Sequence, residues 1–188
     1  MLVLASASPR RKEALAALGV PFRVVPSRVD ERRGLGESPE GYASRLAREK
    51  AEEVSGRLAD GAWVLGADTV VAVDDVVLGK PADRADARRM IAMLAGRSHR
   101  VATAWCVLRA GGPEESGLSV AEVAFRPLTD AEIDDYVATG EGDDKAGAYA
   151  IQGRGLWLVR EMRGSLPAVV CLPVAEVLQA LRELGAIG

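Results

Sequence analysis

The stretch "AWVLGADTVVAVDDVVLGKP", residues 62–81, contains two apolar runs that are separated by the acidic pair Asp74 and Asp75. Runs rich in β-branched residues that meet at a short polar pair are typical of two antiparallel strands joined by a tight turn. The pattern predicts that Val73 pairs with Val76. The acidic pair then forms the turn of the hairpin and takes no part in chemistry.

The same hairpin carries two candidate site residues. Its register brings Asp68 and Lys80 to the same end, and a shift of one residue decides whether their side chains share a face. Asp68 lies between apolar residues in "VLGADTVV", where a carboxylate needs a cation, a metal or the backbone hydrogen bonds of a β-bulge. Lys80 by itself also fits an ordinary lysine at the end of a strand. Both interpretations stay open at this point.

Strand-like runs alternate with helical patterns along the rest of the chain, which indicates an α/β protein. Further strands are expected at residues 2–5, 20–26, 100–108, 118–125, 156–160 and 168–173. Helices are expected to end near residue 19 and to cover residues 38–58, 84–94, 129–140 and 174–184. Thr129 followed by Glu132 predicts a capping box at the start of the fourth of these helices.

Composition limits the class of protein. The 188 residues are 48% hydrophobic, which is enough for one substantial core, and we expect a single domain over residues 1–188. The net charge is −3 and 4% of residues are aromatic, so neither nucleic acid nor a membrane is an expected partner. Cys106 and Cys171 lie in apolar stretches, where reduced thiols act as small hydrophobes. We therefore expect a cytoplasmic protein.

The opening segment "LASASPRRKEAL", residues 4–15, predicts a phosphate site. Ser8 precedes a proline, as an N-cap residue precedes the first residue of a helix. Backbone N–H groups near Ser8 and Arg10 would then point outward at the positive end of the helix dipole. Arg10 and Arg11 add fixed cations, and the Ser6 hydroxyl is a further donor. A capped helix with solvated arginines is the alternative interpretation.

Other candidates are scattered along the chain, and each also has an ordinary structural explanation. Glu31 lies in a charged loop, Lys50 on a helix, Lys145 beside two aspartates, and Gln152 just before a glycine turn. His99 is the single histidine of the chain, and no nucleophile-elbow pattern accompanies it. A Ser-His-Asp mechanism is therefore not favoured.

The motifs "LASASPRR", "VDE", "LAREKA", "LGADTVV", "LGKP" and "DKAGAYAIQG" together resemble the Maf family of nucleotide pyrophosphatases over nearly the whole chain. The "SPRR", "GADT" and "AGAYAIQG" blocks are similar to the branch that hydrolyses dTTP and UTP. The resemblance implies an elongated mixed β-sheet flanked by helices, with two lobes and a deep nucleotide-binding cleft. It also implies a homodimeric enzyme that cleaves a nucleoside triphosphate to monophosphate and pyrophosphate with a divalent metal, Mg²⁺ or Mn²⁺.

The resemblance assigns roles to single residues. It implies that Asp68 is the acidic catalytic residue and that Glu31 approaches the metal. It places the choice of base at Arg11, Thr69 and Gln152, and phosphate contacts at Ser6, Arg10, Lys50 and Lys80. Lys50 and Lys80 are expected to act with Asp68 in catalysis, and Ser8 and Lys145 join the expected substrate-binding set. Two residues depart from the family pattern: Arg154 adds a cation beside Gln152, and Cys171 stands where glycine is more frequent.

Asp68 has two possible roles in this chemistry, which the sequence does not separate. It either accepts a proton from the attacking water or anchors the metal. The amide of Gln152 matches the O4 and N3–H edge of uracil or thymine. A nucleotide sensor that releases its ligand intact, and a pyrophosphatase for modified nucleotides such as 7-methyl-GTP, are the alternative functions.

Overall fold

A mixed sheet of seven strands forms the centre of the structure, a computed structural model that describes residues 1–58 and 61–187. The strands are β1 (Leu2–Leu4), β2 (Phe22–Val24), β3 (Trp63–Val73), β4 (Val76–Leu78), β5 (Ser98–Leu108), β6 (Glu114–Phe125) and β7 (Val159–Arg163). The helices are α1 (Pro9–Ala17), α2 (Pro39–Gly56), α3 (Arg84–Leu94), α4 (Asp130–Ala138), α5 (Leu166–Val170) and α6 (Val174–Glu183), with 3-10 helices at Ala146–Ala148 and Gly153–Leu158. Within this described part, no helix has the length and apolar character needed to span a membrane.

The hairpin predicted from the sequence is present as β3 and β4. Val73 is paired with Val76, and Asp74 in the turn has a positive φ of 51°, as tight hairpin turns require. Asp68 lies opposite Ala104 of β5 in an unbroken register, so the β-bulge interpretation of this residue is wrong.

The arrangement of strands leaves an opening along β3. Strand β5 pairs with β3 over almost its whole length. On the other edge, β1 pairs with residues 63–65 and β4 pairs with residues 71–73. No described strand pairs with residues 66–70 on that edge. The middle of β3 is therefore accessible from the side, and Asp68 and Thr69 lie there.

Helix α2 lies directly on the sheet at this opening. A Cβ atom on Gly66 of β3 would lie 2.1 Å from the backbone oxygen of Ala47 and 2.8 Å from the backbone nitrogen of Ala51. Because glycine has no side chain, the helix backbone approaches the strand more closely than any other residue would allow. This close approach brings Lys50 of α2 over Asp68 of β3.

Two main apolar clusters stabilise opposite ends of the sheet. One packs α3 and α4 on the far end and includes Ile91, Phe125 and Tyr136. The other packs α1 and α6 around β1 and includes Leu15 and Leu181. Helices thus flank a mixed sheet that has an apolar core at each end. This confirms the predicted α/β class and its two lobes.

Several predicted boundaries were wrong. Residues 168–173 were predicted as a strand, but none of them is in a strand and α5 covers the first three, with Pro167 in its first turn and the Ser165 hydroxyl accepting from the Ala168 N–H. Residues 156–160 were also predicted as a strand, although β7 begins at Val159 after a 3-10 helix. Short apolar runs suit either structure, and at α5 the cap from Ser165 favours the helix. Strand β6 begins at Glu114, which is four residues before the predicted start.

His99 of β5 packs within the apolar cluster that includes Ile91, Phe125 and Tyr136. Its ring is 2% exposed, its Nε2 atom lies 2.8 Å from the Tyr149 hydroxyl, and it contacts the rings of Phe125 and Tyr149 edge-on. Its Nδ1 atom has no hydrogen-bond partner among the described residues. Burial lowers the pKa of His99 from 6.5 to about 4, so the ring is neutral at physiological pH.

We predict that Gly66→Ala destabilises the protein by about 1–3 kcal/mol, because the new methyl group pushes α2 away from β3. The matched control is Gly56→Ala at the end of the same helix, where a Cβ meets no atom within 4 Å. That change is expected to raise stability slightly. Urea unfolding of both variants measures the difference, and equal effects would contradict the close contact at Gly66.

We also predict that His99 makes stability depend on pH. Between pH values of about 6.5 and 4 the unfolded chain binds a proton that the folded chain excludes. The free energy of unfolding therefore falls on acidification, by up to roughly 3 kcal/mol from this group. His99→Gln removes that contribution. Unfolding curves at several pH values test this, and equal pH slopes for the variant and the wild type would refute it.

Candidate active site

A cleft of about 630 Å³ opens at the unpaired edge of β3. Every site residue predicted from the sequence lies on its walls: Ser6, Ser8, Arg10, Arg11, Glu31, Lys50, Asp68, Thr69, Lys80, Lys145 and Gln152. These residues come from both ends of the chain and from four regions between them. The tertiary structure therefore brings together side chains that the sequence showed only as separate motifs.

The ammonium group of Lys50 links two of the acidic residues of the cleft, Glu31 and Asp68. Its Nζ atom lies 2.6 Å from Asp68 Oδ1 and 2.6 Å from Glu31 Oε1. Lys50 and Asp68 are buried, whereas the side chain of Glu31 is 55% exposed. The Tyr42 hydroxyl of α2 donates to the Glu31 backbone oxygen at 2.6 Å, which fixes the loop that carries Glu31.

Burial controls the protonation of Asp68. Burial raises the pKa of its carboxyl group, and this effect exceeds the opposing effects of the Lys50 and Arg11 cations. A carboxylate with a raised pKa binds a proton more readily than an exposed aspartate. Asp68 is thus chemically suited to accept a proton inside the cleft.

Arg11 is the centre of a second group of contacts. Its Nη1 donates to Ser6 Oγ, its Nη2 to Thr69 Oγ1 and its Nε to the Cys171 backbone oxygen, each at 3.2 Å. Burial lowers the pKa of Arg11, and the Asp68 carboxylate opposes this shift. The guanidinium therefore holds the first strand, the middle of β3 and the end of α5 in one arrangement.

The expectation for Ser8 needs a correction. Ser8 is the N-cap residue of α1 with proline next to it, as predicted, but its side chain makes no capping hydrogen bond. Its own N–H donates to Ser6 Oγ at 3.2 Å. This N–H is therefore engaged within the turn, whereas the sequence predicted that it points outward to a phosphate.

Thr103 of β5 is a residue that the sequence analysis missed. Its hydroxyl donates to the Ala168 backbone oxygen at 2.8 Å and lies 3.0 Å from Thr69 Oγ1. Because this hydroxyl has a single proton, Thr69 donates to Thr103 and accepts from Arg11. Thr103 is fully buried opposite Thr69 in the register. A lone threonine inside the apolar run "VATAWCVL" was the available signal.

Lys80, Lys145 and Gln152 line the part of the cleft formed by β4 and the 3-10 helices. Lys145 Nζ donates to the Glu141 backbone oxygen and to Asp144 Oδ1, both at 2.5 Å. Gly147 donates its N–H to the Gly79 oxygen at 3.0 Å, which joins this segment to the end of β4. Lys80 and Gln152 are exposed. Among the described residues, neither side chain forms a hydrogen bond or an ion pair with Asp68 or Lys50.

The two departures from the family pattern differ in position. Cys171 lines the cleft at the end of α5, in a stretch that was predicted as a strand. Arg154 is exposed and is not among the residues that line the cleft. Its backbone N–H donates to Glu141 Oε1 at 3.0 Å. The backbone of Arg154, and not its charge, takes part in shaping this wall.

The residues available to a cation are Asp68 and Glu31. No cluster of three or more His, Cys, Asp or Glu side chains suited to a metal occurs in residues 1–58 and 61–187. The two carboxylates nevertheless share one bound cationic group, the Lys50 ammonium. Mg²⁺ is usually held by one or two carboxylates together with substrate phosphates, and this pair of hard oxygen donors fits that pattern.

The fold is of the α/β class that is also found in Ham1 proteins. The structures of the Staphylococcus aureus Ham1 protein and of a HAM1 protein from Coxiella burnetii match this fold with TM-scores of 0.51 and 0.53. Their sequence identities are 12% and 14%, and the matches cover 97% of this chain and 97% and 98% of those chains.

Within that class, the chain belongs to the Maf family, because the model of the Maf-like proteins matches residues 1–184. A relative from Anaeromyxobacter dehalogenans strain 2CP-1, named dTTP/UTP pyrophosphatase, is 54% identical over 98% of this chain and 94% of its own length. A relative of the same name from Thermococcus onnurineus strain NA1 is 50% identical over 98% of both chains.

We predict that Thr103→Val destabilises the protein by about 1–3 kcal/mol, because valine has the same shape but leaves the buried Ala168 oxygen without its donor. Thr103→Ser retains the hydroxyl and serves as the control. Urea unfolding compares the two variants. If both lose the same stability, the hydroxyl makes no contribution and the assigned direction of these hydrogen bonds is wrong.

Proposed function

We propose that this protein hydrolyses dTTP and UTP to the nucleoside monophosphate and pyrophosphate. The observation that carries the proposal is the buried Asp68 carboxylate, which lies beside Lys50 and near Arg11 on the floor of a nucleotide-sized cleft. The name shared by its close relatives supports the choice of nucleotides. We infer that residues 1–188 act as one catalytic unit, because residues between positions 5 and 171 line the same cleft.

The triphosphate needs several cations, since it carries about four negative charges. Three N–H groups of Arg11 are engaged by Ser6, Thr69 and Cys171, which leaves two of its five donors for phosphate oxygens. Arg10 at the start of α1 and the exposed Lys80 at the end of β4 extend this positive surface along the cleft. Arg11 is thus held in place before the substrate arrives.

Asp68 is proposed as the general base. Its Oδ1 accepts from Lys50, so we assign proton uptake to Oδ2. As the proton moves to Asp68, the water oxygen forms a bond to the α-phosphorus. The bond from this phosphorus to the oxygen that bridges to the β-phosphorus breaks, and the electron pair leaves with pyrophosphate. Lys50 stabilises the carboxylate before the transfer and the departing phosphates after it.

Of the two residues expected to bind the metal, Glu31 and Asp68, Glu31 is proposed to hold Mg²⁺ or Mn²⁺ with the substrate phosphates, because both oxygens of Asp68 already have a role. A divalent cation bound there would offset the charge that develops on the pyrophosphate. The exposure of Glu31 at the rim suits a carboxylate that binds a cation entering with the nucleotide. This leaves the buried Asp68 as the group that handles the proton.

Gln152 is proposed to select the base. Its amide N–H can donate to O4 of uracil or thymine while its carbonyl accepts from N3–H. Cytosine reverses this pattern, so its binding would leave polar groups unpaired. We also propose that the protein is a cytoplasmic homodimer that does not bind nucleic acid.

The test incubates the wild type and Asp68→Asn with Mg²⁺ and, separately, with dTTP, UTP, CTP, dGTP and 7-methyl-GTP. We expect pyrophosphate from dTTP and UTP, and a loss on the order of 10²-fold in turnover for the variant, because asparagine cannot accept the proton. Asp134→Asn is the matched control, since Asp134 is exposed on α4 and pairs with Arg88. Pyrophosphate and orthophosphate are measured separately.

Other results would contradict the proposal in distinct ways. Nucleotide that binds and is released intact would indicate a sensor. Orthophosphate alone would place the cleavage at another bond, and a preference for 7-methyl-GTP would indicate the related branch. Normal turnover of Asp68→Asn would show that Asp68 is not the base.

A further inference from the structure

The turn that carries Gln152 is held from both sides by residues at the end of α4 and just after it. The Ala150 N–H donates to the Tyr136 hydroxyl at 3.0 Å. The N–H groups of Arg154 and Gly155 donate to the two carboxylate oxygens of Glu141 at 3.0 and 3.2 Å. The backbone of Gln152 therefore lies between two fixed points.

Glu141 performs the capping role that belongs to the position of Gln152. Gln152 is the N-cap residue of the 3-10 helix Gly153–Leu158, yet its side chain makes no capping hydrogen bond. An N-cap side chain normally accepts from the second and third N–H groups of its helix, which here are those of Arg154 and Gly155. Because Glu141 accepts both, the Gln152 amide is released from capping and remains on the cleft wall.

Gly153 provides the space for this arrangement. Its φ is +67°, and a Cβ atom there would lie 2.8 Å from Glu141 Oε1. A side chain at this position would be strained and would also displace the carboxylate. The turn and the Glu141 carboxylate are thus packed closely against each other. A carboxylate that only lay on the surface would not need a glycine at position 153.

The same residue also holds a second side chain of the cleft. The Glu141 backbone oxygen accepts from Lys145 Nζ at 2.5 Å. Glu141 itself is not among the residues that line the cleft. It is therefore placed behind the wall, where its carboxylate orients Gln152 and its backbone orients Lys145.

We propose that Glu141 is a positioning residue that sets base specificity by capping the turn of Gln152. The inference rests on the proposed function, in which Gln152 recognises uracil and thymine. Without the Glu141 carboxylate, the N–H groups of Arg154 and Gly155 compete for the Gln152 side-chain oxygen. The amide then turns toward its own helix, and the hydrogen bonds that distinguish uracil from cytosine are lost.

The experiment measures kcat and KM for UTP and CTP in Glu141→Ala, Glu141→Gln, Gln152→Ala and the double variant Glu141→Ala with Gln152→Ala. We expect Glu141→Ala to lower the ratio of kcat/KM for UTP to that for CTP about tenfold, the size of one hydrogen bond. Glu141→Gln keeps one acceptor and should fall between. In the Gln152→Ala background, loss of Glu141 should change the ratio no further, because the amide through which it acts is already absent.

The matched control is Glu132→Ala at the other end of α4. Glu132 is also a capping carboxylate, which accepts from the Thr129 N–H at 2.7 Å, but it lies away from the cleft. Its loss should lower the melting temperature and leave the UTP to CTP ratio unchanged. A purely structural role of Glu141 would give the same result as this control.

Two outcomes would overturn the inference: an unchanged ratio in Glu141→Ala, or an equal fall of the ratio in the Gln152→Ala background. If Glu141→Ala does not fold, Glu141→Gln provides the same comparison with the amide present and absent. A wild type that releases no pyrophosphate, or that cleaves CTP as fast as UTP, contradicts the proposed function. If the wild type prefers UTP to CTP and the Glu141 variants keep the same ratio, only the role of Glu141 is contradicted and the proposed function stands.

Discussion

A buried ion pair between Lys50 of α2 and Asp68 of β3 determines how the cleft is built. Removing a lysine and an aspartate from water is costly, and their attraction compensates only where the geometry is close. That geometry depends on Gly66, because any side chain there would hold α2 away from the sheet. The helix, the strand and the ion pair therefore form one unit, and Glu31 at the rim joins it through the same ammonium group.

Directed hydrogen bonds extend this unit to the other wall. They run from the Arg11 guanidinium through the hydroxyls of Thr69 and Thr103 to the backbone of Ala168. Each hydroxyl both donates and accepts, so the direction of every proton is fixed. The cleft floor is thereby rigid where phosphates are proposed to bind, and electrostatic stabilisation of a reaction is strongest when the binding groups need no rearrangement.

The wall that carries Gln152 is built by different means. Its turn is held by backbone N–H groups that donate to Tyr136 and Glu141, and the Gln152 side chain is exposed. The phosphate chemistry and the base recognition that we propose would thus depend on separate sets of contacts. Substitutions in one set are able to alter the choice of base while the buried Lys50–Asp68 pair stays intact.

The sequence by itself determined the α/β class, the hairpin at Asp74, and the residue types of the site, because periodicity, turn chemistry and motif order are local properties. It did not determine the helix at Leu166–Val170, since a short apolar run suits both helix and strand. Only the tertiary structure decided that Lys50 pairs with Asp68, that Thr103 supports Thr69, and that Glu141 caps the turn of Gln152. The packing of α2, β3 and β5 sets the distances of the first two contacts, and the segment that follows α4 sets the third.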